Sequence, residues 1–324
     1  MSRPLLRVFL LLGFLLGSLS PVQAASYIFI PINVPGTAGT STSKINAQGQ
    51  IVGGYFDKGT SHSFLLDDGL FIPITVPNST NDSALGINER GQIVGNYVDT
   101  QGIEHGYLWE NGTFTTIDVP GASGAAVFDI NNRGQIVGNY NGTRHGFLWD
   151  NGVLTFIDVP GALSTRALGI NNRSQIVGFY LDANFLGHGF LWENGTFTTI
   201  DVPDALFNTV PYDINDRGQI VGFYDSTSGS HSFLLDKEKF TTLNDISGAA
   251  YTHALGINNR GWIVGEYFDT GTLHGFLAIP AFRQRGEDSV AYSAPQNQDQ
   301  KPVNLRWHLL PVSVLAGRPL PAFE

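Results

Sequence analysis

Six of the eight histidines, His62, His105, His145, His188, His231 and His274, share one context: a Gly or Ser follows each, and then an aromatic residue. Histidine titrates near neutral pH and ligates metals, so six copies suggest metal binding or proton transfer. Metal binding requires ligands converging to about 2 Å from one ion. Histidines spaced forty-odd residues apart fall one per structural unit, so a bond to a neighbouring turn or strand is the expected role. Five carboxylates form a second set: Asp57, Asp99, Asp182, Asp225 and Asp269 each lie at the start of a variable stretch, with Asn141 in the remaining copy. They are candidate ligand-binding residues for cations or hydroxyl-rich molecules. None has the dense DxDxDG pattern of a calcium loop, which favours local Asx turns. The third set is Lys44, Asp129 and Asp213, each directly before an Ile-Asn pair and alternating with Gly86, Gly169 and Gly256. One amine and two carboxylates at equivalent positions could make a central polar site, or could simply meet water. Ser-His-Asp nucleophile signatures, phosphate-cradling glycine loops and HExxH are absent, and with no Cys there is neither a thiolate metal site nor a disulfide. No cofactor and no metal site is expected, a divalent ion among Lys44, Asp129 and Asp213 being the one open alternative.

The elements that position these residues follow from a repeat. GINERGQIVGNY from Gly86, DINNRGQIVGNY from Asp129, GINNRSQIVGFY from Gly169 and GINNRGWIVGEY from Gly256 are copies of one unit; KINAQGQIVGGY from Lys44 and DINDRGQIVGFY from Asp213 are two more. Their first asparagines, Asn46, Asn88, Asn131, Asn171, Asn215 and Asn258, are separated by 42, 43, 40, 44 and 43 residues. A period in the forties with strand content is the signature of a β-propeller. Each unit reads as four strands: ALGIN, then a polar NxRG turn, QIVGxY, a variable loop, HGFLW, a tight ENG or DNG turn, and FTTIDVPG. In the first turn the Asn can accept local bonds and the Gly can take φ > 0, so Ser174 at that Gly position should be slightly strained. Asn111-Gly112, Asn151-Gly152 and Asn194-Gly195 are two-residue hairpin turns. Asn111, Asn141 and Asn194 also fit the glycosylation sequon, but turn geometry accounts for Asn111 and Asn194. Trp109, Trp149 and Trp192 precede these turns and read either as packing between units or as stacking platforms for sugars.

The chain ends determine closure. The last unit stops at HGFLAIP, from His274 to Pro280, without a fourth strand, whereas YIFIPINVPG, from Tyr27 to Gly36, is a fourth strand without a unit. Pairing the two removes exposed edges and gives an all-β, six-bladed propeller with four antiparallel strands per blade over residues 26–280. Residues 1–24 carry Arg3, Arg7, an apolar run and the small-residue pattern ending at Ala24, which read as a secretory signal peptide. Residues 281–324 read as a disordered or weakly structured tail; its apolar stretch, broken by Pro311, is too short to span a bilayer. No transmembrane segment is expected in the mature chain. The formal charge of −10 becomes more negative once Arg3 and Arg7 are removed, which excludes nucleic acid as a partner.

The units resemble the extracellular HAF repeats of secreted bacterial proteins, in which an Asn-rich GQIVG segment is followed by His, a small residue and Phe. The resemblance covers Ser26 to Pro280 and rests on His62-Ser63-Phe64, His145-Gly146-Phe147, His188-Gly189-Phe190, His231-Ser232-Phe233 and His274-Gly275-Phe276, with Tyr107 in place of Phe after His105. It implies an extracellular repeat protein and brings no chemistry with it. Near-identical units argue against an active site, which normally breaks symmetry to gather different groups. The expectation is a secreted, extracellular or periplasmic monomer that binds a protein or carbohydrate through its variable-loop face. The alternatives are a hydrolase, lactonase or lyase with an axial site, and a multivalent lectin.

Overall fold

The computed structural model describes residues 27–142, 144–243 and 246–281. Residues 1–24, read as a signal peptide, and the tail beyond Ala281 lie outside the described residues. Among the described residues there are 24 strands and no helix. They are β1 (Tyr27–Ile32), β2 (Gly39–Ile45), β3 (Ile51–Asp57), β4 (Thr60–Asp67), β5 (Leu70–Ile74), β6 (Asn81–Ile87), β7 (Ile93–Val98), β8 (Glu104–Glu110) and β9 (Thr113–Ile117). Next come β10 (Ala125–Ile130), β11 (Ile136–Tyr140), β12 (His145–Asp150), β13 (Val153–Ile157), β14 (Ser164–Ile170), β15 (Ile176–Leu181), β16 (Gly187–Glu193) and β17 (Thr196–Ile200). The last are β18 (Thr209–Ile214), β19 (Ile220–Ser226), β20 (Gly229–Asp236), β21 (Lys239–Thr242), β22 (Tyr251–Ile257), β23 (Ile263–Asp269) and β24 (Thr272–Pro280). From β2 to β21 the chain forms successive four-stranded antiparallel meanders, and β22–β24 take β1 as their fourth strand. Tyr27 lies opposite Pro280 and Ile32 opposite Gly275, so the spare and missing strands read from the sequence are partners. One parallel bridge, Gly39 to Leu273, joins this group to β2–β5.

The core consists of contacts between sheets. One apolar cluster joins Val52 and Leu65 to Ile93 and Tyr107; another joins Val94 and Ile117 to Ile136 and Phe147. The succession continues to a cluster of Ile45 and Ile51 with Val264 and Leu277, which brings the last sheet against the first. The aromatic residue after each repeated histidine is fully buried, as Phe147 and Phe190 show. It packs over the glycine of IVG: a Cβ on Gly138 would lie 2.8 Å from the Phe147 ring and would also strike the carbonyl oxygen of Ala126. The two halves of the repeat motif are therefore one packing unit, in which Gly leaves the volume that the ring fills.

Each first strand has a register shift where it meets the second, between Thr42 and Lys44, Ala84 and Gly86, Val127 and Asp129, Ala167 and Gly169, Pro211 and Asp213, and Ala254 and Gly256. A β-bulge leaves its extra residue unpaired and re-aims that side chain. The bulged residues are Ser43, Leu85, Phe128, Leu168, Tyr212 and Leu255, and all six line one cavity.

The NxRG turns join the sheets. Asn131 Oδ1 accepts from the N–H groups of Arg133 and Gln135, while its Nδ2 donates to Gln135 Oε1 and to the carbonyl of Asn171 in the next sheet, 3.0 Å away. The same cross-sheet bond runs from Asn46 to Asn88, Asn88 to Asn131, Asn171 to Asn215, Asn215 to Asn258 and Asn258 back to Asn46. Gly134 has φ of 80°, and Ser174, at the equivalent position, is held at 60°, a conformation that disfavours a side chain.

Deleting residues 27–36 leaves β24 an open edge and exposes the face on which Phe29 meets Phe276 at 5.3 Å between ring centroids. The truncated protein is expected to oligomerise and to melt at lower temperature, as read by light scattering and thermal denaturation. A monomer with unchanged melting shows that β1 is dispensable.

Candidate functional site

Lys44, Asp129 and Asp213 come together although 85 residues separate Lys44 from Asp129. The Lys44 ammonium is 3.0 Å from Asp129 Oδ2 and also pairs with Asp213 Oδ1, and all three side chains are buried. The carboxylates have further donors. Asp129 accepts from the N–H groups of Ile130 and Ile170, and Asp213 from those of Ile214 and Ile257. The intervening glycines permit this approach: a Cβ on Gly169 would lie 2.8 Å from the Asp213 Cα, and one on Gly86 the same distance from the Asp129 Cα. The three side chains therefore do not simply meet channel water; crowding of the first strands brings them into mutual contact. Burial alone would lower the Lys44 pKa, but the two carboxylates outweigh it and hold it raised. Burial pushes Asp129 up to about 6, Lys44 opposing this and Asp213 adding to it.

The repeated histidines lie elsewhere, toward the end of each sheet where the variable loops emerge. Each lies against the tyrosine near the end of the second strand, stacked on it in four of the six sheets, as Tyr97 is on His105 at 5.1 Å and Tyr180 on His188 at 5.2 Å, and tilted for His62 and His231. Nδ1 of His105, His145 and His188 meets Asp118, Asp158 and Asp201 at 2.8, 3.1 and 2.9 Å, the Asp in each case being 13 residues later in the chain. Burial lowers the His105 pKa less than Asp118 and Asp99 raise it. Sequence reading missed these carboxylates, although the constant spacing of 13 marks them.

Of the five loop acids, Asp99 and Asp182 staple their own loops. Asp99 Oδ1 accepts from the N–H groups of Gln101 and Ile103, and Asp182 Oδ1 from those of Asn184 and Leu186. These bonds hold both carboxyls below their ordinary pKa. Asp225 accepts from Asn208 at 2.7 Å, Asp269 faces His274 at 2.9 Å, and Asp57 has the exposed Lys58 beside it at 3.8 Å. Side chains on the opposite, turn-bearing face are engaged: Gln92 donates to Glu110, Gln135 to Asp150 and Gln175 to Glu193. Trp109, Trp149 and Trp192 are partly buried against clusters that span two sheets, which is the packing role.

The loop face carries an apolar group that sequence reading passed over. Phe185 is 75% and Phe207 63% exposed, with Leu163, Leu186 and Leu206 each about half exposed. Their loops are tied together, since Gly187 N–H donates to the Phe207 carbonyl and Leu163 N–H to that of Leu181. Among the described residues no group of three or more His, Asp or Glu side chains could hold a metal ion, and no helix is long and apolar enough to cross a membrane.

A scan of protein-family models and a search of curated proteins find no match to this chain. Solved structures of similar shape include a streptogramin B lyase at 13% identity and TM-score 0.48, covering 78% of this chain and 97% of that one. A gluconolactonase from Xanthomonas campestris matches at 12% identity and TM-score 0.47, covering 75% and 88%. A lectin from Aleuria aurantia matches at 11% identity and TM-score 0.46, covering 77% and 98%. These likenesses are too distant to bring an activity or a ligand to this chain.

Removing Lys44 strands two buried carboxylates, a change that typically costs about 3–5 kcal/mol. The pH dependence has a fixed sign. A carboxyl with a raised folded pKa makes the folded state bind more protons than the unfolded one, so stability falls as pH rises through that window. Lys44→Met should therefore be least stable at high pH, recover as pH falls toward 5, and be partly rescued by Asp129→Asn; urea denaturation at pH 5 and pH 8 reads both effects. For His105 the raised folded pKa makes its contribution complete below the unfolded value of about 6.5 and lost as pH rises through the folded value. His105→Gln is thus expected to destabilise the protein more at pH 5.5 than at pH 8.5, and equal losses at the two pH values show that the Asp118 contact carries no linkage.

Proposed function

We propose that the chain is a secreted, closed, six-bladed propeller of the HAF-repeat type whose loop-bearing face binds a partner protein without catalysing a reaction. The observation that carries this reading is the grouping of Phe185, Leu186, Leu206, Phe207 and Leu163 on that face. Exposed apolar residues gathered in neighbouring loops mark interaction surfaces, and aromatic anchors dominate protein interfaces. Aliphatic and Phe side chains favour a protein over a glycan, for which Trp109, Trp149 and Trp192 were the candidate platforms and are engaged between sheets. The loop acids frame the patch: Asp182 shapes the loop that carries Phe185, and Asp225 holds Asn208 beside Phe207. An axial hydrolase, lactonase or lyase built on Lys44, Asp129 and Asp213 needs one of the three to offer a free lone pair. Lys44, Asp129 and Asp213 engage one another and the backbone instead.

The reading is tested by retention of the labelled, purified protein on intact cells of the species that makes it. Phe185→Ser with Phe207→Ser is expected to abolish retention at little cost in stability, since exposed substitutions usually stay within about 0.5 kcal/mol each. The turn-face variant Glu110→Gln with Asp150→Asn should retain binding. The opposite pattern assigns function to the wrong face.

A further inference from the structure

The six bulged residues line a cavity of about 310 Å³ on the loop side of the Lys44 triad, at the small end of the range for ligand sites. The repeat keeps its symmetry in the turns and the buried aromatic residues and loses it here, where the six positions read Ser43, Leu85, Phe128, Leu168, Tyr212 and Leu255. One arc is apolar, formed by Leu85, Phe128 and Leu168. The other carries Ser41, Ser43, Tyr212 and Glu266.

This polar arc differs from the other polar sites of the molecule. The Asn turns, the Lys44 triad and the loop acids Asp99 and Asp182 are bonded internally. Among the described residues, the hydroxyls of Ser41, Ser43 and Tyr212 and the carboxylate of Glu266 have no hydrogen-bond partner. The basic side chain beside Glu266 is His253, its Nδ1 3.9 Å away. His253 itself is held in place, stacked on Phe223 at 4.0 Å and bonded through Nε2 to Ser230. Arg166, whose charge reaches Tyr212, has an engagement of its own and is not counted among the ligand groups. The floor beneath holds two carboxylates against one ammonium, Glu266 adds a third negative charge at the wall, and Arg166 offsets one of these, so the cavity keeps an excess of negative charge. A cavity so arranged repels anions and offers a cation both a carboxylate and aromatic surface.

We propose that this cavity binds a small organic amine, its ammonium on Glu266 and its aromatic or alkyl body against Leu85, Phe128 and Leu168. The bulge makes such a site economical in structural terms. It turns one side chain per sheet into the axis without disturbing the ladder on either side, so the occupant is selected by residues that closure of the ring does not use. The site is independent of the loop-face reading, and either can fail without the other.

The test uses tyramine and its neutral isostere tyrosol as probes of the purified full-length protein by titration calorimetry. Saturable tyramine binding is expected, at least tenfold tighter than that of tyrosol. Glu266→Gln should cost tyramine tenfold or more and leave tyrosol unchanged. Leu85→Trp, which fills the cavity, should remove binding of both, with Leu168→Trp as a second filling variant should the first fail to fold. No saturable binding of tyramine, equal affinity for the two probes, or tyramine binding that survives in a folded cavity-filled variant overturns the proposal.

Discussion

The cross-sheet bond of the repeated asparagine is the constraint on which the rest depends. Each of these side chains satisfies its own turn through Oδ1 and the carbonyl of the next sheet through Nδ2. That carbonyl already accepts an N–H within its own turn, as Asn171 does from Ser174, so the amide of the preceding sheet takes up its second lone pair and ties each sheet to its predecessor. The succession ends where it began, Asn258 reaching the carbonyl of Asn46 across 212 residues of sequence. A second set of bonds runs beside it: Asn132 Oδ1 accepts from Glu89 N–H, Asn172 from Asn132, Asp216 from Asn172 and Asn259 from Asp216. It lapses between Asn259 and Ala47, which has no side-chain oxygen to offer, and resumes from Ala47, whose N–H donates to the Glu89 carboxylate. The sheets are thus joined by local turns that each bond once outward, and the pairing of β1 with β24 adds the one long-range strand contact that completes the last sheet.

Drawing six first strands to one axis crowds them, and three features of the sequence answer that crowding. Glycine stands where a Cβ would strike the neighbouring backbone, as at Gly86, Gly169 and Gly256. The alternate positions carry Lys44, Asp129 and Asp213, which meet because nothing separates them. A buried charge persists only when paired and hydrogen-bonded, and here each carboxylate has backbone donors from two sheets as well as the ammonium. The third answer is the bulge one residue earlier, which turns a side chain inward and opens the cavity. Triad and cavity are consequences of one geometry, the first closing the axis and the second leaving room above it.

Much of this was legible in the sequence because the repeat states its own boundaries. The four strands per unit, the NxRG turn with its strained Ser174, the tight Asn-Gly hairpins and the pairing of Tyr27–Ile32 with β24 all follow from alternation, turn chemistry and counting strands. The glycine of IVG and the aromatic residue after histidine appear as separate motif letters, and only packing shows that one accommodates the other. The bulge left no local mark. Ser43, Leu85, Phe128, Leu168, Tyr212 and Leu255 vary in a way that reads as tolerance until their common direction is known. The loop patch was missed for a different reason. Single exposed Phe or Leu residues are ordinary, and Phe185 and Phe207 acquire meaning only because the bond between Gly187 and the Phe207 carbonyl brings two loops together.

The division between engaged and unengaged side chains also explains how such a chain could change ligand without changing fold. On the turn face nearly every polar group has a role in closure: Asn131 ties two sheets, Gln135 ties the turn to Asp150, and Asp216 bonds both Asn172 and Asn259. A substitution of Asn131 or Asp216 strands partners in more than one sheet. On the loop face the stacked Tyr–His pairs and the stapling acids fix where each loop leaves its sheet, and beyond those anchors Phe185 and Phe207 support nothing beneath them. The bulged residues stand between these extremes, fixed in direction by the backbone and free in identity. Because the asparagine bonds between sheets lie at one end of the axis, selection can alter the cavity and the loops at the other end with little consequence for those bonds, and differences among units are expected to accumulate there.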